Sequence, residues 1–125
     1  SDVFSSDLGI DECSVPAPTM VAEVDGHAVS ERSLDAAEFG IEPASHEQLA
    51  ARDLPEAAAL LRNLLAGEER GPTRGMLLLN SGMAIMAAGR STDLRTGIDA
   101  ARAAIDGGAA LRTLERLRAA SKASR

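Results

Sequence analysis

Two short segments, Met20-Val21-Ala22-Glu23-Val24 and His27-Ala28-Val29-Ser30-Glu31, carry valines and mixed apolar and polar positions of the kind found in half-buried strands. Between them stands Asp25-Gly26, the pair that favours a two-residue type I′ turn, so the pattern predicts a β-hairpin across residues 20 to 32. Ahead of it, Pro16 and Pro18 fix φ and remove backbone donors. Val15 to Thr19 therefore reads as an extended connection crossing from an earlier loop.

The period then changes to that of helices. Asp53 can cap, Pro55 suits a first turn, Glu56 can complete a capping box, and Leu60, Leu61, Leu64 and Leu65 form an apolar stripe that Gly67 would end. Ser45-His46-Glu47-Gln48 also has capping-box spacing, which predicts a shorter helical turn with Leu49 packed inward. Gly71-Pro72-Thr73 opens a helix apolar almost all round, with Met76, Leu77, Leu78, Leu79, Met83, Ile85 and Met86, and Gly89 is a suitable stop. Thr92-Asp93 caps the next, whose inner side is Ile98, Ala101 and Ile105. Its charges stand four apart as Arg95 with Asp99 and Arg102 with Asp106. Gly107-Gly108 interrupts this run. Leu111, Leu114 and Leu117 line a last segment that loses amphipathic character and frays from Ala119.

The reading is thus α/β, with a β-hairpin and loop-rich first third followed by about four helices, in a single partial domain over residues 1–125. A lone hairpin is marginal in water, so these strands call for further sheet or for a partner. The opening on Val3-Phe4, already strand-like, suggests that the chain is cut from something longer.

Composition narrows the options. Apolar residues make up 45% of the chain, but with two Phe and no Trp or Tyr the core must be small and aliphatic. A net charge of -6 argues against nucleic acid and anionic membranes as partners, since both need a basic footprint. Arg112, Arg116, Arg118 and Lys122 are interleaved with Ala and Leu, as on a solvated helix face. Cys13 is the single cysteine, which excludes an intrachain disulfide and a cysteine metal cluster. No apolar run approaches the roughly 20 residues of a membrane helix, and no signal peptide opens the chain. A cytoplasmic location fits.

Candidate chemistry is sparse. Asp11 and Glu12 present hard oxygen ligands together in a loop after an initial strand, a donor pair able to hold magnesium against a substrate phosphate. Adjacent acids are nevertheless far commoner on solvated turns. His27 and His46 lie in cap-like or turn settings and read as exposed structural residues. Cys13 reads as a small packed side chain, because the neighbouring Glu12 carboxylate raises a thiol pKa. The methionines read as core filler. Asn80 stands out as an amide within an apolar helix, where burial demands hydrogen-bond partners, and it reads as a residue that ties a loop in place. Gly71-Pro72-Thr73-Arg74 reads as capping rather than as a phosphate site, and no GxGxxG or GxxxxGK[ST] occurs.

Several short motifs follow one another in a fixed order: Gly9-Ile10-Asp11-Glu12, Ala17-Pro18-Thr19, the hairpin, Leu34-Asp35 through Glu38-Phe39-Gly40, Leu65-Ala66-Gly67-Glu68 and Gly71-Pro72. Leu78-Leu79-Asn80, Ala88-Gly89, Leu94 to Gly97 and Ala104-Ile105-Asp106-Gly107-Gly108-Ala109 continue it. In that order the chain resembles the carboxyl-terminal part of the α/β domain of anthranilate phosphoribosyltransferases. The resemblance implies transfer of phosphoribose from phosphoribosyl pyrophosphate to anthranilate in tryptophan biosynthesis, a homodimer when complete, and Mg2+ held by Asp11 and Glu12. It assigns no catalytic side chain within these residues and no substrate-binding residue.

The same resemblance implies that the glycine-rich phosphoribosyl pyrophosphate loop, the anthranilate contacts and the helical domain lie upstream of Ser1. The chain alone is then expected to be inactive. Three positions depart from the family pattern: Phe4-Ser5-Ser6 where His-Gly is usual, Ala57 or Ala58 where Asn is common, and Gly75 where Asp is frequent. Two alternatives remain at this point, a fragment of a pyrimidine nucleoside phosphorylase-like enzyme and a non-catalytic standalone interaction module.

Overall fold

The computed structural model describes the backbone of residues 3–6, and backbone and side chains of residues 11–124. Three antiparallel strands, β1 (Val3–Ser6), β2 (Thr19–Asp25) and β3 (Ala28–Leu34), form a sheet in the order β1-β2-β3. The hairpin is therefore not alone: Val3 to Ser6 pair with Ala22 to Thr19 on its other edge. Alternation settles which face is buried. Thr19, Val21 and Leu34 turn inward, whereas Met20, Val24 and Val29 face outward and stay exposed.

The hairpin differs from the expected one in its turn. Asp25 pairs with Ala28, so the two loop residues are Gly26 and His27. Gly26 alone takes a positive φ, +61°, as a type II′ turn requires at its first central position. Asp25-Gly26 as the loop would have set Leu34 opposite Ala17, beyond the strand. The observed register sets it opposite Thr19, and both side chains are fully buried. The segment before β2 is also a bend rather than an extended crossing, because Ser14 Oγ accepts from Ala17 N–H at 3.3 Å and Thr19 Oγ1 accepts from Ser14 N–H at 2.8 Å.

Asp35 next caps a short 3-10 turn over Ala36–Phe39 that sequence periodicity did not signal. The helices follow: α1 (His46–Leu49), α2 (Leu54–Leu65), α3 (Pro72–Ala87), α4 (Leu94–Asp106) and α5 (Ala109–Ala123). The Ser45 capping box forms as its spacing predicts, with Ser45 Oγ accepting from Gln48 N–H and Gln48 Oε1 accepting from Ser45 N–H. Asp53 and Asp93 cap α2 and α4 through Glu56 N–H and Thr96 N–H, both at 2.8 Å. Glu56 does not close a box on Asp53; its carboxylate binds Arg52 instead. Gly89, in the left-handed region at φ +72°, ends α3 as expected. The last helix holds to Ala123 rather than fraying from Ala119.

One buried cluster joins Val21 and Leu34 of the sheet to Leu78, Leu79 and Met83 of α3 and to Leu94, Ile98, Ala101 and Ile105 of α4. The helix with apolar residues all round is thus the central one, and α4 packs along it. The four-residue pairs expected on α4, Arg95 with Asp99 and Arg102 with Asp106, do not form. Arg102 pairs with Asp99 at 2.7 Å, while Arg95 reaches Glu38 O at 2.7 Å and lies over the Phe39 ring at 5.4 Å. Asp106 leaves its own helix for Arg74, at 2.9 Å. For Asp106, opposite charge on a neighbouring element outcompetes a weak pair along its own helix. Among the described residues no helix is long and apolar enough to cross a membrane.

Candidate metal-binding turn

Asp11 and Glu12 lie in the connection between β1 and β2, and both side chains are exposed. Gly9 and Ile10, the first half of the acidic motif, lie outside the described residues. What holds the second half is well defined. Immediately after Glu12 the chain turns inward, so that Cys13 and Ser14 are buried at 1% and 0% exposure. The Asn80 side chain of α3 meets it there: Oδ1 accepts from Cys13 N–H at 2.8 Å, and Nδ2 donates to Cys13 O at 3.0 Å. Nδ2 also donates to Met76 O, one helical turn back, at 3.1 Å. The amide that stood out in an apolar sequence is therefore fully engaged, and the loop it ties is the acidic one.

Glu12 and Asn80 together border two shallow clefts along α3. One, of about 230 Å³, is lined further by Leu49, Leu60, Leu64, Thr73 and Met76. The other, of about 190 Å³, is lined by Met83, Ala84 and Ala87. Glu12 thus stands at the rim of an apolar groove rather than on an isolated knuckle of the surface.

The donor set selects among ions. Among the described residues no three His, Cys, Asp or Glu side chains come together as a metal-holding group. His27 sits in the hairpin turn and His46 opens α1, both exposed and on separate elements. Two adjacent carboxylates do not make a closed zinc site, which needs four protein ligands or three with water. They do fit magnesium, which keeps several waters and is commonly bound through one or two carboxylates plus substrate phosphates.

Cys13 plays no nucleophilic part. Burial first, and the Glu12 carboxylate second, push its thiol up from 9.0 to about 11, against an opposing pull from Arg32. The thiol should react with a disulfide reagent at pH 8 only after denaturation, and rapid labelling of the folded chain would contradict its burial. Because the folded-state pKa is raised, the unfolded chain loses this proton first. The contribution to stability is intact below pH 9.0 and is lost as pH rises to about 11.

These features define a class: an α/β unit with an acidic, oxygen-donor turn set against a central apolar helix. Residues 1–111 match the glycosyl transferase family, a/b domain, and the chain belongs to that family. Its relatives include the anthranilate phosphoribosyltransferase of Chloroflexus aggregans, 40% identical over 96% of this chain and 36% of the relative. That of Rubrobacter xylanophilus is 40% identical over 86% of this chain and 32% of the relative. Among solved structures, the anthranilate phosphoribosyltransferase of Thermus thermophilus superposes with a TM-score of 0.82 at 34% identity, covering 93% of this chain and 34% of that one. The Saccharomyces cerevisiae enzyme in complex with PRPP and Mg gives 0.77 at 25% identity, over 91% and 33%. The chain therefore spans about a third of the length of the relatives it matches.

Proposed function

We propose that this chain is the carboxyl-terminal part of the α/β domain of an anthranilate phosphoribosyltransferase, a cytoplasmic homodimer when complete, and that it supplies the magnesium-binding turn. The observation that carries the reading is the acidic turn clamped to α3, in a fold shared with an enzyme solved with PRPP and Mg. Neither a phosphorylase fragment nor a non-catalytic module gains comparable support, since the relatives named above are anthranilate phosphoribosyltransferases.

Asp11 and Glu12 would hold the cation through their exposed carboxylates, where it would meet the diphosphate of phosphoribosyl pyrophosphate. When bound, magnesium supplies charge neutralisation for the departing pyrophosphate as the ribose centre gains positive character and the anthranilate amine attacks. The chain's own part is placement: Asn80 and the Ser14–Thr19 pair fix where the carboxylates stand, and the apolar groove beside Glu12 limits water on one side.

The test uses the complete enzyme that contains these residues, following the loss of anthranilate fluorescence with phosphoribosyl pyrophosphate and Mg2+. Changing both Asp11→Asn and Glu12→Gln should lower kcat by about 100-fold, the scale of losing preorganised charge stabilisation. The 125-residue chain by itself should show no turnover. Transfer by the isolated chain, or a double variant as active as the parent, would sink the reading.

A further inference from the structure

We infer that Asn80 is the positioning residue that sets the metal affinity of the acidic turn, an inference resting on the reading of Asp11 and Glu12 above. Every other hydrogen bond that the described residues give to this loop is local: Ser14 N–H to Thr19 and Ala17 N–H to Ser14 span five and three residues. The Asn80 contacts span 67 residues and are the ones that join the loop to the helical layer. The local bonds fold the loop on itself; apolar packing of Cys13 and Val15 seats it in the core, and among the described hydrogen bonds those of Asn80 are the ones that tie it to α3.

The geometry is that of a two-point clamp. Oδ1 and Nδ2 grip the N–H and the C=O of the same residue, Cys13, at 2.8 and 3.0 Å. One bond would leave the peptide free to pivot, whereas two fix both the position and the rotation of the backbone one residue after Glu12. The second Nδ2 hydrogen, given to Met76 O, fixes the amide's own orientation. A metal held by two carboxylates depends on their relative placement, because magnesium tolerates little departure from octahedral geometry. Groups that orient metal ligands without touching the metal typically change affinity by about 10- to 100-fold when removed.

Two variants separate positioning from mere folding. Asn80→Ala removes both bonds. Asn80→Asp keeps an acceptor for Cys13 N–H but turns an oxygen toward Cys13 O and Met76 O, where two acceptors repel. The first readout needs no metal: hydrogen exchange at the Cys13 amide should speed up in Asn80→Ala, with the exchange of α3 amides unchanged. The second is Mn2+ titration of the 125-residue chain, read as paramagnetic broadening of the amide resonances of residues 11 to 13. Wild type should broaden there, and both Asn80 variants should need about tenfold more Mn2+ for the same effect. Equal Mn2+ requirement in wild type and both variants would overturn the role of Asn80 while leaving the metal turn standing. Broadening in wild type no greater than in the Asp11→Asn, Glu12→Gln chain would remove the metal reading itself, and the inference with it.

Discussion

Alanine at position 97 should lower the unfolding temperature of this chain by about 10 °C, the consequence of roughly 3 kcal/mol of overpacking in a domain of this size. A Cβ on Gly97 would stand 2.5 Å from the carbonyl oxygen of Gly82 and 3.0 Å from Ser91 Oγ. The nearest obstacle is backbone of the facing helix, which cannot rotate aside; only separation of α3 from α4 relieves it. That separation would open the contact among Leu79, Met83, Ile98 and Ala101, the centre of the buried cluster. Gly82→Ala should behave alike, since its Cβ would meet Ile98 N at 2.9 Å and Ile98 Cα at 3.1 Å. Gly75→Ala is the informative contrast. Its Cβ would meet the Ile41 Cγ2 methyl at 2.7 Å, a side-chain atom rather than the backbone of a facing helix.

The sign is what makes this decisive. In a free helix interior, replacing Gly with Ala gains about 1 kcal/mol of helix propensity, so an uncrowded α4 would become more stable. Thermal unfolding followed by far-UV circular dichroism distinguishes the two. A Gly97→Ala chain that melts at or above the parent's temperature would mean that α3 and α4 do not cross at Gly82 and Gly97.

What the sequence displayed and what it hid divide along the range of the interactions. Ser45 with Gln48, Asp53 and Asp93 are local signals, and each caps the helix it precedes. Asn80 was legible for a different reason: an amide in an apolar run must find partners, even though its partner, Cys13, could not be named from spacing. The hairpin was visible but not its register, because turn chemistry allows a glycine in either central position and the burial of Leu34 beside Thr19 decides between them. The Gly82–Gly97 crossing is invisible in a linear reading, where each is a lone glycine weakening a helix. The acidic turn is the extreme case. Asp11 and Glu12 alone resemble any solvated pair, and only the ordered motifs around them, and now the loop clamped to α3, distinguish them.

Asp106 shows the same limit in its energetics, and Asp106→Ala should destabilise the fold by about 2 to 3 kcal/mol. Local reasoning gives the opposite sign: an acid at the last position of α4 opposes the helix dipole, and its removal should gain about 0.3–1 kcal/mol. In the folded chain a stronger interaction outweighs that gain. Asp106 accepts from Arg74 Nη2 with both carboxylate oxygens, at 2.9 and 3.0 Å, and the Arg74 side chain is only 9% exposed. Removing the acid strands a buried guanidinium whose Nη1 already has no partner among the described residues. The carboxylate's own 37% exposure keeps the cost below that of a fully buried pair, and Arg70, 66% exposed and 3.7 Å away, adds little. Arg74→Met should therefore cost less than Asp106→Ala, because it removes the buried charge and fills the space with a flexible apolar chain. The double variant should recover part of the loss of Asp106→Ala. Urea unfolding of the four chains gives the coupling directly; if Asp106→Ala is neutral, or if its loss persists undiminished in the double variant, the stranded charge is not the cause.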